Sequence, residues 1–287
     1  MYLEKLKCNL QHVLPHHFLS RLISKLADCE IPFVKNGLIK LFIANYKIDL
    51  STVVSSELKD YPTFNHFFTR ALRPDARPIV SETTAIASPA DGVISQAGVI
   101  EDGELFQAKG SFFKLSNLLA GDAALAANFL DGQFVTIYLA PRDYHRVHMP
   151  IDGKLINTIY VPGKLFSVNN ASVAHVPNLF CRNERLICRF ETSVGEVVLI
   201  LVGAMLVAGI ETVWGQRETP CDSKEVVVKQ YQDKGIVLKK GDELGRFQFG
   251  STVILLFPPS SAKLLPFAAQ QHINMGALLG HVRVEGK

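Results

Sequence analysis

Three stretches of the 287-residue chain carry side chains able to attack, to move protons or to hold a metal. The first is Asp91 in Ala90-Asp91-Gly92, and the second is Tyr144-His145-Arg146-Val147-His148-Met149-Pro150. The third is Phe249-Gly250-Ser251-Thr252, directly ahead of the apolar run Val253–Phe257. Taken singly, two of them are weak. An Asp-Gly pair commonly marks a turn, and a Gly-Ser ahead of a strand is commonly a loop-to-strand junction. The histidines carry more. Pro141 can open a single helical turn after an apolar strand, and i, i+3 spacing would then bring both rings to one side. Two other readings stay open at this point. His145, His148, His175 and Asp91 could ligate a metal, although a catalytic site needs three ligands and an open position. The chain could also be a lipid-associated binding module without catalysis.

The elements that must position these residues change character along the chain. Phe18, Leu19, Leu22, Ile23 and Leu26 give His17–Leu26 the helical period, and Phe33, Val34, Leu38, Leu41, Phe42 and Tyr46 repeat it over Phe33–Tyr46. Lysines and arginines lie off both stripes, so these amphipathic helices could rest on an anionic membrane or pack against the protein. A third helix is expected over Asp60–Leu72, with Pro74 and Pro78 breaking the pattern into an extended linker. From Ile79 the period is that of strands, at Gly92–Val99, Phe134–Leu139, Lys154–Tyr160, Leu186–Phe190, Glu196–Val207, Glu225–Val228 and Thr252–Phe257. One helix is expected near Leu115–Ala127. The expected fold class is α+β: a mainly β core of short mixed or antiparallel strands, barrel-like, with N-terminal amphipathic helices. Residues 1–73 would form a helical segment and 74–287 a β-rich domain. Ser88–Ile94 and Met149–Ile156 both place Pro, one residue and Asp-Gly ahead of a strand. The core is then either an internally duplicated hybrid or one turn solution used twice.

Composition narrows the function. Apolar residues make up 48% and charged residues 20%, as in a folded domain and unlike a disordered chain. A net charge of +3 is too small to imply a nucleic-acid partner. Residues 1–48 hold seven Lys/Arg against three Asp/Glu, a net +4, which leaves −1 for the remainder. The five cysteines lack disulfide or zinc-ribbon spacing and read as reduced cytosolic thiols. Met1–Leu10 is charged where a signal peptide would be apolar. The longest apolar run, Val197–Ile210, has 14 residues, and a spanning helix needs about 20. Membrane association is therefore expected to be peripheral.

Together the motifs carry a resemblance. The chain resembles the phosphatidylserine decarboxylases of the bacterial and mitochondrial type, which are pyruvoyl-dependent proenzymes. The likeness runs through Phe64–Arg70, Ser88–Gly92, Tyr138–Pro150, Val161–Asn169, Asn183-Glu184-Arg185, Val202–Trp214 and Gly241–Phe257. It covers nearly all of the chain beyond residue 60. The family's usual Leu-Gly-Ser-Thr reads Phe249-Gly250-Ser251-Thr252 here, which keeps an apolar residue ahead of the glycine.

The resemblance implies a chain that cuts itself between Gly250 and Ser251. Ser251 would attack the Gly250 carbonyl in an N-to-O acyl shift, with His148 taking its proton and Asp91 orienting the imidazole. β-Elimination and hydrolysis would leave ammonia, a pyruvoyl group derived from Ser251, and chains of residues 1–250 and 251–287. The pyruvoyl carbonyl would condense with the amine of phosphatidylserine as a Schiff base and act as the electron sink, releasing CO2 and phosphatidylethanolamine. His145 would recognise the substrate and protonate its α-carbon, with His148 as the alternative. No metal is implied. The implied partners are phosphatidylserine, an anionic membrane surface and the two chains of one precursor, and the family allows for a homodimer. The implied location is the cytoplasmic side of the cell membrane, held peripherally by the N-terminal helices. There Arg21, Lys25, Lys35 and Lys40 flank Leu19, Leu22, Phe33 and Leu41.

Overall fold

Two unbroken apolar runs organise the core. Val197–Val202 and Val253–Phe257 lack polar alternation, the pattern of strands buried on both faces. The computed structural model describes Gln11 and residues 16–108, 110–205, 209–219, 221, 223–248, 251–268 and 270–283. Gly250, and with it the bond expected to be cut, lies outside the described residues. Ser251–Phe257 is buried throughout and pairs antiparallel with Gly195–Val202 on one side and Gln133–Leu139 on the other. Side chains alternate across a strand. Val253, Leu255 and Phe257 accordingly enter one apolar cluster with Val197, Leu199 and Leu201. Ile254 and Leu256 enter a second, with Val198, Ile200 and Val202. The sheet separates two cores.

This sheet has nine strands. Across it run Val227–Gln230, Gly153–Val161, Arg185–Thr192, Gly195–Val202, Ser251–Phe257, Gln133–Leu139, Gly92–Val99 and Gln271–Ile273, with Val237–Leu238 also paired to Gly153–Val161. A four-stranded sheet of Gln216–Arg217, Gly209–Thr212, Glu243–Gln248 and Arg146–His148 carries the histidine run. The fold is α+β, with a dominant antiparallel core and N-terminal helices. The described sheets are open in order, and none is shown closed into the expected barrel.

The first two helices form close to where the periodicity places them, at His16–Ala27 and Pro32–Tyr46. The expected Asp60–Leu72 helix shrinks to Phe64–Phe68, opened by Thr63, whose side chain accepts from the His66 N–H. It cannot continue because the Ala71 carbonyl and Arg73 N–H bond to Val54 and Thr52 instead. Phe64, Phe67 and Phe68 join Ile39 and Phe42 in a separate apolar cluster. The expected Leu115–Ala127 helix is two short ones, Leu115–Leu118 and Ala123–Ala127. Ala120 and Gly121, at φ 65° and 85°, break it, and Asp122 caps the second piece. Both Pro-x-Asp-Gly turns do open strands, Gly92–Val99 and Gly153–Val161. At Gly92 a Cβ would stand 2.4 Å from the Tyr138 carbonyl oxygen, so only glycine lets Asp91 approach the strand this closely.

Candidate active site

The site is built where the four-stranded sheet feeds the nine-stranded one. Glu243–Gln248 pairs antiparallel with Arg146–His148, and past two intervening residues the chain enters Ser251–Phe257. The helical turn expected between Pro141 and His148 does not form, because Arg146–His148 is a strand committed to this pairing. The two rings consequently occupy different environments rather than one shared side.

His145 is fully buried, its ring 4.2 Å from the Phe68 ring. Its Nδ1 lies 2.8 Å from the Asp143 carbonyl oxygen, which can only accept, so the proton sits on Nδ1 and Nε2 carries the lone pair. That Nε2 is sealed from water and has no hydrogen-bond partner among the described residues. Burial, with a smaller contribution from the nearby Arg70 charge, pushes the imidazole down to about 3, against the upward pull of the Asp143 carbonyl. His148 is held in the same tautomer: Nδ1 is 2.8 Å from the Gly241 carbonyl oxygen and Nε2 is 3.1 Å from the Tyr144 hydroxyl. Burial lowers its pKa as well. Burial raises Tyr144 to about 12, so its hydroxyl keeps its proton and donates to His148.

Ser251 heads its strand with its Oγ buried and unpartnered among the described residues. Asp91 is buried, but its carboxylate does not hydrogen-bond to His148. It accepts from Arg77 Nε at 2.8 and 3.0 Å and from the Met275 N–H at 2.8 Å. The His148 backbone N–H instead donates to the carbonyl of Pro89, two residues before Asp91. Asp91 thus lies near His148 and acts on it through its field. Sequence reasoning gave no role to Arg77, Tyr144, Asp143 or Gly241. Tyr144 lay inside the histidine run, whereas nothing local to Pro74–Pro78 marked Arg77 as the Asp91 partner. Among the described residues no three His, Cys, Asp or Glu side chains gather as a metal site.

A family model described as phosphatidylserine decarboxylase matches residues 64–281, and a second, described as PSD, matches 6–47. The chain belongs to the phosphatidylserine decarboxylase family. The phosphatidylserine decarboxylase proenzyme of Alcanivorax borkumensis is 52% identical over 99% of this chain and 95% of its own length. The proenzymes of Ectopseudomonas mendocina and Photobacterium profundum are each 50% identical over 96% of the chain, covering 97% and 96% of their own lengths. The family's activity is pyruvoyl-dependent decarboxylation of phosphatidylserine to phosphatidylethanolamine, and this decarboxylase is a carboxy-lyase of that kind.

A pyruvoyl group arises from a serine, and Ser251 fits that origin. Its Oγ is withdrawn from water on a central strand and is held by no hydrogen bond among the described residues. The N-terminal helices of this decarboxylase present apolar surface: Phe18, Leu22, Leu26, Ile31, Phe33 and Leu41 are exposed, Phe33 to 90%. Lys35 is a correction to the basic set, because it is buried, with Nζ 2.9 Å from the Leu58 carbonyl oxygen. Arg21, Lys25 and Lys40 remain exposed. No helix of the described residues is long and apolar enough to cross a membrane.

Proposed function

We propose that this decarboxylase generates its catalytic group by cutting the Gly250–Ser251 bond, with Ser251 as nucleophile and His148 as base. The observation that carries this reading is the Ser251 Oγ, buried and unpartnered among the described residues, at the head of a strand paired on both sides. A serine hydroxyl needs a base to become nucleophilic. His148 suits the task because burial keeps it neutral and its Nδ1–H is tied to Gly241, leaving Nε2 to accept. Tyr144 occupies that nitrogen and yields it when Ser251 donates. Asp91 favours the imidazolium that forms, by its charge rather than by a hydrogen bond, while Arg77 and the Met275 N–H hold it in place.

The products are chains of residues 1–250 and 251–287, held together by the Ser251–Phe257 strand. The pyruvoyl group at residue 251 supplies the electron sink for loss of CO2. His145 takes a proton from the substrate amine on Nε2 and returns it to the α-carbon once CO2 has left. Its bare Nε2 and its Nδ1–H bond to Asp143 support that order of events. Residues 1–73 act as the membrane-association segment of a 74–287 catalytic domain, and their exposed apolar faces with Arg21, Lys25 and Lys40 suit an anionic bilayer. The protein would thus sit peripherally on the cytoplasmic side of the cell membrane, as single molecules or as a homodimer. We read the two Pro-x-Asp-Gly turns, each opening a strand of the large sheet, as copies of one β unit in an internally duplicated, barrel-like core.

Intact-mass measurement tests the cleavage. Purified protein is expected to yield a 37-residue C-terminal fragment with a blocked N-terminus, whereas Ser251→Ala and His148→Ala stay as one 31.7 kDa chain. Normal cleavage of either variant removes that residue from the proposed machinery.

A further inference from the structure

A cavity of about 280 Å3 lies beside Asp91 and Tyr144. Its walls come from three places: Lys47 and Thr52 just after the second helix, Arg142 and Tyr144 from the histidine run, and Asn274 from the segment beyond the cleavage site. Arg70 also lines it and is 5% exposed.

The charges of this cavity do not cancel. Four cations, Lys47, Arg70, Arg77 and Arg142, line it against the three carboxylates of Asp49, Asp91 and Asp143. Asp91 is paired with Arg77 and Asp143 with Arg142, while Asp49 accepts from the Ser51 N–H. Arg70 has no carboxylate partner among the described residues. Its Nε is buried without an acceptor, its guanidinium lies 5.3 Å over the centre of the Phe67 ring, and its hydrogen bonds are long: NH1 to the Phe68 carbonyl at 3.5 Å and NH2 to the Arg142 carbonyl at 3.3 Å. Lys47 forms no ion pair or side-chain hydrogen bond among the described residues either.

Arg185 shows how this fold treats a buried guanidinium that is purely structural. It is equally buried, and four carbonyl oxygens, of Leu118, Cys181, Asn183 and Asn117, accept from it at 2.7–3.0 Å. A buried cation left short of acceptors is costly unless something supplies them. Arg70 has the deficit and lines a cavity, where its weakly bonded terminal nitrogens, rather than the sealed Nε, can meet the oxygens of a ligand.

The substrate offers two anions. A cation bound to the carboxylate would stabilise the group that must leave as CO2 and so oppose the reaction. The phosphodiester is unchanged from substrate to product, and binding it holds the lipid without affecting the chemical step. We propose that this cavity is the phosphodiester subsite, in which buried Arg70 and exposed Lys47 bind the phosphate of phosphatidylserine while its serine moiety reaches toward Tyr144 and His148. Planar guanidinium matches phosphate oxygens, and the lysine adds a point charge. The inference rests on phosphatidylserine being the substrate, not on the roles proposed for Asp91, His145 and His148.

The product headgroup sn-glycero-3-phosphoethanolamine is not turned over, so its binding to mature enzyme can be measured by titration calorimetry. Lys47→Gln is expected to weaken it several-fold and Arg70→Gln by roughly tenfold or more, by loss of charge-assisted hydrogen bonds. With a soluble short-chain phosphatidylserine, each should raise KM by about the factor by which it weakens headgroup binding and leave kcat nearly unchanged. Release of the 37-residue fragment, scored by mass, separates these effects from any failure of self-cleavage. If Arg70→Gln does not mature, Lys47→Gln decides alone. Unchanged affinity and KM in Lys47→Gln overturn the assignment. Inorganic phosphate should bind more weakly than the glycerophosphodiester, and equal affinity would make this a free-phosphate site and overturn the lipid assignment.

Discussion

Acidification should destabilise this protein through His145 in a way that a single substitution removes. The ring is fully buried and pushed down to about 3, against an ordinary value of 6.5. Between those values the unfolded chain holds a proton that the folded chain does not. Stability from this group is therefore fully present above about pH 6.5 and falls by roughly 1.4 kcal/mol per unit as the pH drops below it. Integrated from pH 7 to pH 5, the loss is roughly 2 kcal/mol. Any folded value below about 4 gives nearly the same figure, because the folded ring is then neutral throughout the window. In His145→Asn the amide can still donate to the Asp143 carbonyl but cannot titrate. Urea unfolding in a Ser251→Ala background keeps one chain throughout. In that background, the stability lost between pH 7 and pH 5 should be roughly 2 kcal/mol larger with His145 intact than in the His145→Asn variant. His148 titrates in both proteins and cancels. Equal losses in the two proteins would refute the buried, neutral assignment of His145.

Three further outcomes follow from packing and charge. Leu255→Ala removes a fully buried side chain from a strand paired on both sides, and should cost about 2–5 kcal/mol in urea unfolding of the uncut precursor. Arg77→Ala leaves the Asp91 carboxylate buried without its cation, and a loss of about 3–5 kcal/mol at pH 7 is expected in the same assay. Phe33→Ser combined with Leu41→Ser should weaken co-sedimentation with phosphatidylserine vesicles by roughly tenfold or more, given about 1.5–3 kcal/mol per large apolar side chain buried. Self-cleavage of that double variant should be normal.

The sequence by itself determined the chemical groups and the ordering of the core. Val197–Val202 and Val253–Phe257 read as core strands because neither offers a polar stripe to water, and the helical stripes of the first fifty residues were equally legible. That both faces of each strand are covered was decided by the apolar clusters packed on the two sides of the sheet. Local breaks were harder to read. The split of Leu115–Ala127 depends on positive φ at Ala120 and Gly121, and the short Phe64–Phe68 helix on a backbone pairing with residues 52–54. The electrostatics of the site belonged to tertiary structure alone. Asp91 meets Arg77 across 14 residues and Met275 across 184, and His148 meets Gly241 across 93. Spacing along the chain is silent about such contacts. A hydrogen bond needs approach to about 3 Å, and only the packing of two sheets and a helical segment around one cavity brings these groups that close.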